Sequence, residues 1–180
     1  MQKKIKKNLE IFDKEDRDKD ASAMSDVGLV RVLNEDNWGW GILKNDLKLY
    51  VVADGMGGHS SGEVASLIAV ETVEHVLLKE VDPDETRLSR NIMDEEEAVR
   101  ERLRYAMNQA CVKIRQAALE NPEHRGMGTT LTVLLIEDGI AHFSHVGDSR
   151  LYLFSNGSLR RLTRDHTVVQ NEIDAGRLTP

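Results

Sequence analysis

The run Val51-Val52-Ala53-Asp54-Gly55-Met56-Gly57-Gly58-His59 carries small and β-branched apolar residues straight into a carboxylate followed by glycine. That pattern reads as a buried strand delivering one aspartate to the mouth of a turn. Hard divalent cations such as Mg²⁺ and Mn²⁺ take carboxylate, carbonyl and water oxygens. A glycine after the aspartate lets the backbone come close enough for its own carbonyl to bind. Taken alone, the same letters also describe a strand closed by an ordinary Asp-Gly turn.

Arg31-Val32-Leu33-Asn34-Glu35-Asp36-Asn37 places a guanidinium four and five residues ahead of two adjacent carboxylates, just before a second apolar strand. Such a segment offers an anion clamp and two further oxygen ligands, Glu35 and Asp36. The alternative for Arg31 is a surface salt bridge with one of those carboxylates. Gly128-Thr129-Thr130 and His145-Val146-Gly147-Asp148-Ser149-Arg150 complete an ordered series, with another acidic turn at Asp148.

Together with Asp26-Val27-Gly28 and Gly62-Glu63-Val64-Ala65-Ser66, these segments resemble the bacterial branch of the metal-dependent serine/threonine protein phosphatases, type 2C, from about Met24 to the last residue. The resemblance implies an α+β fold, an α/β/β/α sandwich of two antiparallel sheets flanked by helices. It also implies hydrolysis of phosphoserine and phosphothreonine by a water between two metal ions, without a covalent phosphoenzyme. Carried onto matching positions only, it makes Arg31 the phosphate contact and Asp54 the metal-bridging carboxylate. Gly55 binds through its carbonyl, Glu35 and Asp36 bind directly or through water, and Asp148 lies near a further metal. The cofactor is Mn²⁺ or Mg²⁺, two or three ions in a complete site, and the partners are phosphorylated proteins opposing a serine/threonine kinase. The chemistry is coherent: a phosphate monoester dianion repels nucleophiles, so cations must neutralise its oxygens and acidify a water. The Arg31 fork can hold phosphate oxygens bidentately, as a lysine cannot.

Two departures stand beside the matches. Met56 occupies the place where animal members have a histidine general acid, which leaves water to protonate the leaving group; His59 is close in sequence but at a different position. Family members also continue, after the segment Leu162-Thr163-Arg164-Asp165-His166-Thr167, through a flap and further strands with an Asp-Gly and an Asp-Asn motif. The chain read here ends at Leu178-Thr179-Pro180, inside the expected flap. The expectation is a fragment of a longer protein or a short form that has lost catalysis. Two functional classes follow: the enzyme, or a catalytically incomplete domain that binds a phosphoprotein or regulates a partner through the Arg31 face.

With 180 residues, 40% hydrophobic and 31% charged, the chain can bury a substantial core, and its net charge of −7 disfavours nonspecific nucleic-acid binding. The single cysteine, Cys111, rules out an intramolecular disulfide framework and suits a reducing cytosol; its surroundings predict inert packing on an apolar helix face. No segment approaches the ~18 apolar residues of a membrane span. Residues 1–20, which include Lys3-Lys4-Ile5-Lys6-Lys7, read as a charged flexible arm ahead of a phosphatase-like domain over 21–180.

The elements that must position these groups follow from periodicity. Alternation predicts strands near 22–31, 37–43 and 48–53, the last two joined by Lys44-Asn45-Asp46. The capping-box spacing of Ser60-Ser61-Gly62-Glu63 starts a helix over 61–79. A second helix over 94–119 aligns Val99, Leu103, Ala106, Met107, Ala110, Ile114 and Ala117, and Asn121-Pro122 ends it. Strands return near 129–136, 140–146, 150–154 and 158–162, with turns at Asp138-Gly139, Gly147-Asp148 and Asn156-Gly157.

Overall fold

The structure is a computed structural model that describes residues 21–42, 47–57, 61–79 and 95–179. The charged arm over 1–20, the Lys44-Asn45-Asp46 turn, His59, Ser60 of the capping box and Asp94 therefore lie outside the described residues. Strands β1 (Asp36–Ile42), β2 (Lys48–Met56), β3 (Gly128–Thr129), β4 (Leu131–Glu137) and β5 (Ile140–Val146) form one antiparallel sheet in the order β1-β2-β4-β5, with β3 also on β2. Strands β6 (Tyr152–Ser155) and β7 (Ser158–Arg161) form a separate two-stranded sheet. Helices α1 (Ser61–Lys79) and α2 (Glu95–Glu120), a 3-10 turn at Pro122–His124 and the short α3 (Val168–Asp174) are the helical elements among the described residues.

Strand β2 alternates strictly. Leu49, Val51 and Ala53 are sealed against α1, while Tyr50, Val52 and Asp54 face the other way. On β4 the sealed residues are Leu131, Val133 and Leu135. Helix α1 is apolar nearly all round, as a helix must be that lies between a sheet and a second helix, and it buries Ala69, Val70, Val73, Val76 and Leu77. Helix α2 buries the stripe Val99, Leu103, Ala106 and Ala110, with Met107 and Ile114 packed at its edge. Its outer face carries the pairs Arg100–Glu96, Arg100–Glu97 and Arg104–Glu101, each worth only a few tenths of a kcal/mol.

Glycine on β1 permits α1 to lie close. A Cβ at Gly39 would fall 2.0 Å from Glu74 Oε1 and 2.8 Å from Val70 Cγ1. The hairpins β4–β5 and β6–β7 close through Asp138-Gly139 (φ 50° and 77°) and Asn156-Gly157 (φ 50° and 75°), the left-handed pair that matches strand twist.

Three expectations need correction. Residues 22–31 form no strand: 21–27 are irregular and 28–30 turn, because the Gly28 amide donates to Asp26 Oδ1 at 2.8 Å with Gly28 at φ +73°. Cys111 is exposed, one residue round the helix from buried Ala110. The strand expected over 129–136 is split at Thr130, whose side chain takes a hydrogen bond in place of the regular ladder.

Candidate metal and phosphate site

The carboxylates gather at one end of the large sheet. Asp36, the first residue of β1, is directly opposite Asp54 near the end of β2, and the β5–β6 connection brings Asp148 to the same end. Asp54 has an open surface, yet its carboxyl pKa is held above the ordinary aspartate range. Desolvation by the surrounding protein is the largest cause, followed by the negative charges of Asp36 and Asp148; Arg31 opposes them, and a side-chain hydrogen bond with Asp36 adds to the rise. These are hard oxygen donors whose mutual repulsion a divalent cation relieves, so the residues present fit a metal. They adjoin without forming a closed shell: among the described residues no three His, Cys, Asp or Glu side chains are gathered tightly enough to hold an ion.

Each aspartate is held by its neighbours. The Asp54 amide donates to Thr130 Oγ1 at 3.0 Å, and its carbonyl accepts from the Thr130 amide at 2.8 Å and from Thr129 Oγ1 at 3.0 Å. The Gly-Thr-Thr motif therefore clamps the backbone of the central carboxylate. Asp36 Oδ2 accepts from Ser25 Oγ at 2.9 Å, and the Asp36 amide donates to Asn34 Oδ1 at 3.0 Å. Asp148 sits in a turn braced from two sides. Thr130 Oγ1 and Ser149 Oγ lie 2.7 Å apart, and the His166 amide donates to the Gly147 carbonyl at 2.9 Å. The His145 and His166 rings stack at 4.5 Å beside this turn, and His145 Nε2 bonds the Arg164 carbonyl at 2.8 Å. Gly147 is required here: its φ is +101° and a Cβ would come within 2.6 Å of the Thr130 side chain.

Glu35 differs from the aspartates. Its carboxylate is only 9% exposed and accepts from Arg31 Nη1 at 2.5 Å, while the Arg31 side chain is 68% exposed. Arg31 thus makes the salt bridge that the sequence left as its alternative, from a position whose charge also reaches Asp54. The Gly55 amide donates to the Glu35 carbonyl at 3.2 Å. Met56 is exposed next to these groups and pairs with Gly128.

The charged residues are conspicuous in the sequence by type, whereas the neutral ones that hold them, Ser25, Asn34, Thr129, Thr130 and Ser149, are not. Gly-Thr-Thr was visible as a motif, but its role depends on a pairing between positions 76 residues apart.

The family model of Protein phosphatase 2C matches residues 30–174. The serine/threonine protein phosphatase PstP of Mycobacterium tuberculosis is 40% identical over 159 residues, which is 88% of this chain and 27% of that protein. The protein phosphatase PhpP of Streptococcus pneumoniae is 35% identical over 159 residues, 88% of this chain and 60% of that one. Among solved structures, the catalytic domain of PstP in complex with two manganese ions superposes with a TM-score of 0.71 at 36% identity, covering 88% of this chain and 61% of the other. The serine/threonine phosphatase of S. agalactiae gives 0.74 at 30% identity, covering 87% and 60%. The chain therefore spans between about a quarter and three-fifths of the length of these relatives. Among the described residues, no helix is long and apolar enough to cross a membrane.

Proposed function

The chain belongs to the Protein phosphatase 2C family, and from that premise we propose that it serves the hydrolysis of phosphoserine and phosphothreonine in proteins, dependent on Mn²⁺ or Mg²⁺. The observation that carries this reading is the convergence of Asp36, Asp54 and Asp148 at one sheet end beside Arg31. Asp36, Asp54, Asp148 and the Gly55 carbonyl would hold the cations, with Glu35 in reserve behind its pair with Arg31. When bound, the ions neutralise phosphate oxygens and lower the pKa of water.

The protein's own part is positional. Asp54, desolvated and facing the negative charges of Asp36 and Asp148, is where a bound cation would relieve the most unfavourable charge. Arg31, largely exposed, turns its free donors toward a phosphate while Nη1 stays on Glu35. Phosphorylated proteins made by an opposing serine/threonine kinase are the substrate class, and the single cysteine is in keeping with the cytoplasm.

The test pairs calorimetric Mn²⁺ titration with phosphate release from a phosphothreonine peptide in millimolar Mn²⁺, on this chain and on Asp54→Asn. Mn²⁺ binding that Asp54→Asn weakens is expected, and release that depends on Mn²⁺ and is lost in the variant supports the enzyme. An unchanged isotherm removes Asp54 from the site. Binding of the phosphopeptide and Mn²⁺ without release would favour the regulatory module.

A further inference from the structure

The motif Gly62-Glu63-Val64-Ala65-Ser66 has so far no function in the site. Ser66 is fully buried in the second turn of α1, where a side chain facing a sheet would ordinarily be apolar. Its hydroxyl lies 2.5 Å from the Glu35 carbonyl and 3.1 Å from the carbonyls of Gly62 and Glu63. Asn37 Nδ2 donates to the same oxygen at 2.9 Å. With one proton to give, the hydroxyl spends it on the nearest acceptor, so a chain runs from the Asn37 amide through Ser66 to the Glu35 carbonyl.

Residues 35 and 37 are the two neighbours of Asp36. The hydroxyl thus holds the residue before a candidate ligand by its carbonyl and the residue after it by its side-chain amide, while the ligand's own side chain points to the opposite face of the sheet, toward Asp54. The Gly55 amide shares the Glu35 carbonyl with Ser66, which ties the second strand into the same knot. Gly62, one turn earlier on α1, lets the helix close on it. A Cβ there would come within 2.5 Å of Glu35 Oε1, and one on Gly55 would come within 2.1 Å of the Gly62 carbonyl.

We propose that Ser66 is a positioning residue of the metal site, a buried clasp that fixes Glu35 by its carbonyl and Asn37 by its side chain on α1 and so sets the carboxylate of Asp36 against that of Asp54. The clasp acts through backbone and touches neither metal nor phosphate. It rests on the metal reading above for its purpose and on the hydrogen bonds alone for its existence. A polar group joining a helix, a strand carbonyl and a strand side chain is a more exact ruler than an apolar contact, because its length and direction are both fixed.

The experiment uses this chain, with Ser66→Ala and Asn37→Ala against Val73→Ala, a core substitution on the same helix that lies outside the site. Native-state amide exchange without metal reads the clasp. Ser66→Ala is expected to speed exchange at Gly55 by roughly tenfold, with Val51 and Val133 unaffected beyond the common loss of stability, and Asn37→Ala to act in the same direction more weakly. Calorimetric titration reads the purpose: the Mn²⁺ dissociation constant of Ser66→Ala should rise roughly tenfold, while Val73→Ala melts lower and binds as native does. Exchange at Gly55 that follows only global stability, or Mn²⁺ affinity lost equally in Val73→Ala, overturns the proposal. If native chain takes up no Mn²⁺, the metal reading fails and the exchange result still decides whether the clasp exists. Should Ser66→Ala not fold, Asn37→Ala carries both measurements.

Discussion

The two faces of the five-stranded sheet are made from the same strands and differ sharply. Toward α1, Leu49, Val51, Ala53, Val133 and Leu135 are each at most 1% exposed. On the other face the residues are as apolar: Trp38 packs edge-on to Trp40 at 6.0 Å, and Val52, Leu134, Ile136 and Phe143 accompany them, yet Trp38 is 41% exposed and Val52 51%. A sheet apolar on both sides has the composition of a middle layer, in keeping with a sandwich architecture. The sealed face stabilises the domain. The open face ends at Asp36 and Asp54, the candidate metal site.

The largest effect that separates the faces is expected at β2. Leu49→Ala should cost about 2–5 kcal/mol in denaturant unfolding, against less than about 1 kcal/mol for Val52→Ala three residues on. Equal losses would mean that both sides are packed in solution. Next comes Gly39→Ala, which drives a methyl into Glu74 and Val70 and should cost about 1–3 kcal/mol by the same measurement; a neutral result would show that α1 does not ride close on β1. Arg31→Ala, at the chemical end, should cost about 1 kcal/mol despite its exposure, because Glu35 is left 9% exposed without its guanidinium. Arg100→Ala on the outer face of α2 is the control and should change less.

The smallest effect has the opposite sign. Since the folded pKa of Asp54 is raised, the folded state holds that proton more tightly, and stability falls as pH rises from the ordinary aspartate value toward the raised one. Without metal, Asp54→Asn should therefore melt slightly above the native chain at pH 7, and the difference should vanish below about pH 4. Mn²⁺ should raise the melting temperature of the native chain and leave the variant nearly still. A native chain that melts higher than the variant at pH 7 without metal would contradict the desolvation and carboxylate repulsion that raise the Asp54 pKa.

How much of this the sequence made legible depended on the range of the forces involved. Strand β5 begins and ends where the pattern places it, the described span of α1 is the one the pattern gives, and α2 runs one residue past its expected end, because periodicity is local. The strand expected over 22–31 does not form, because the Asp26 side chain bonds the Gly28 amide and turns the chain. Cys111 was misplaced by one position, which on a helix is a rotation of about 100°. In the site, the charged residues announced themselves by type, whereas Ser66 and Thr130 are common residues that matter only through partners 31 and 76 positions away.

That last separation has a consequence in time. The β1–β2 hairpin and α1 leave the ribosome first, but the threonine that pins Asp54 is made 76 residues later, which at 5–20 residues per second is a lag of roughly 4–15 s. During that interval the nascent chain holds an aspartate with no clamp on its backbone and no Asp148 opposite it. The backbone clamp on Asp54 therefore forms only after both long helices have been made, when β4 zips onto β2 and the order of translation is reconciled with the order of strands in the sheet.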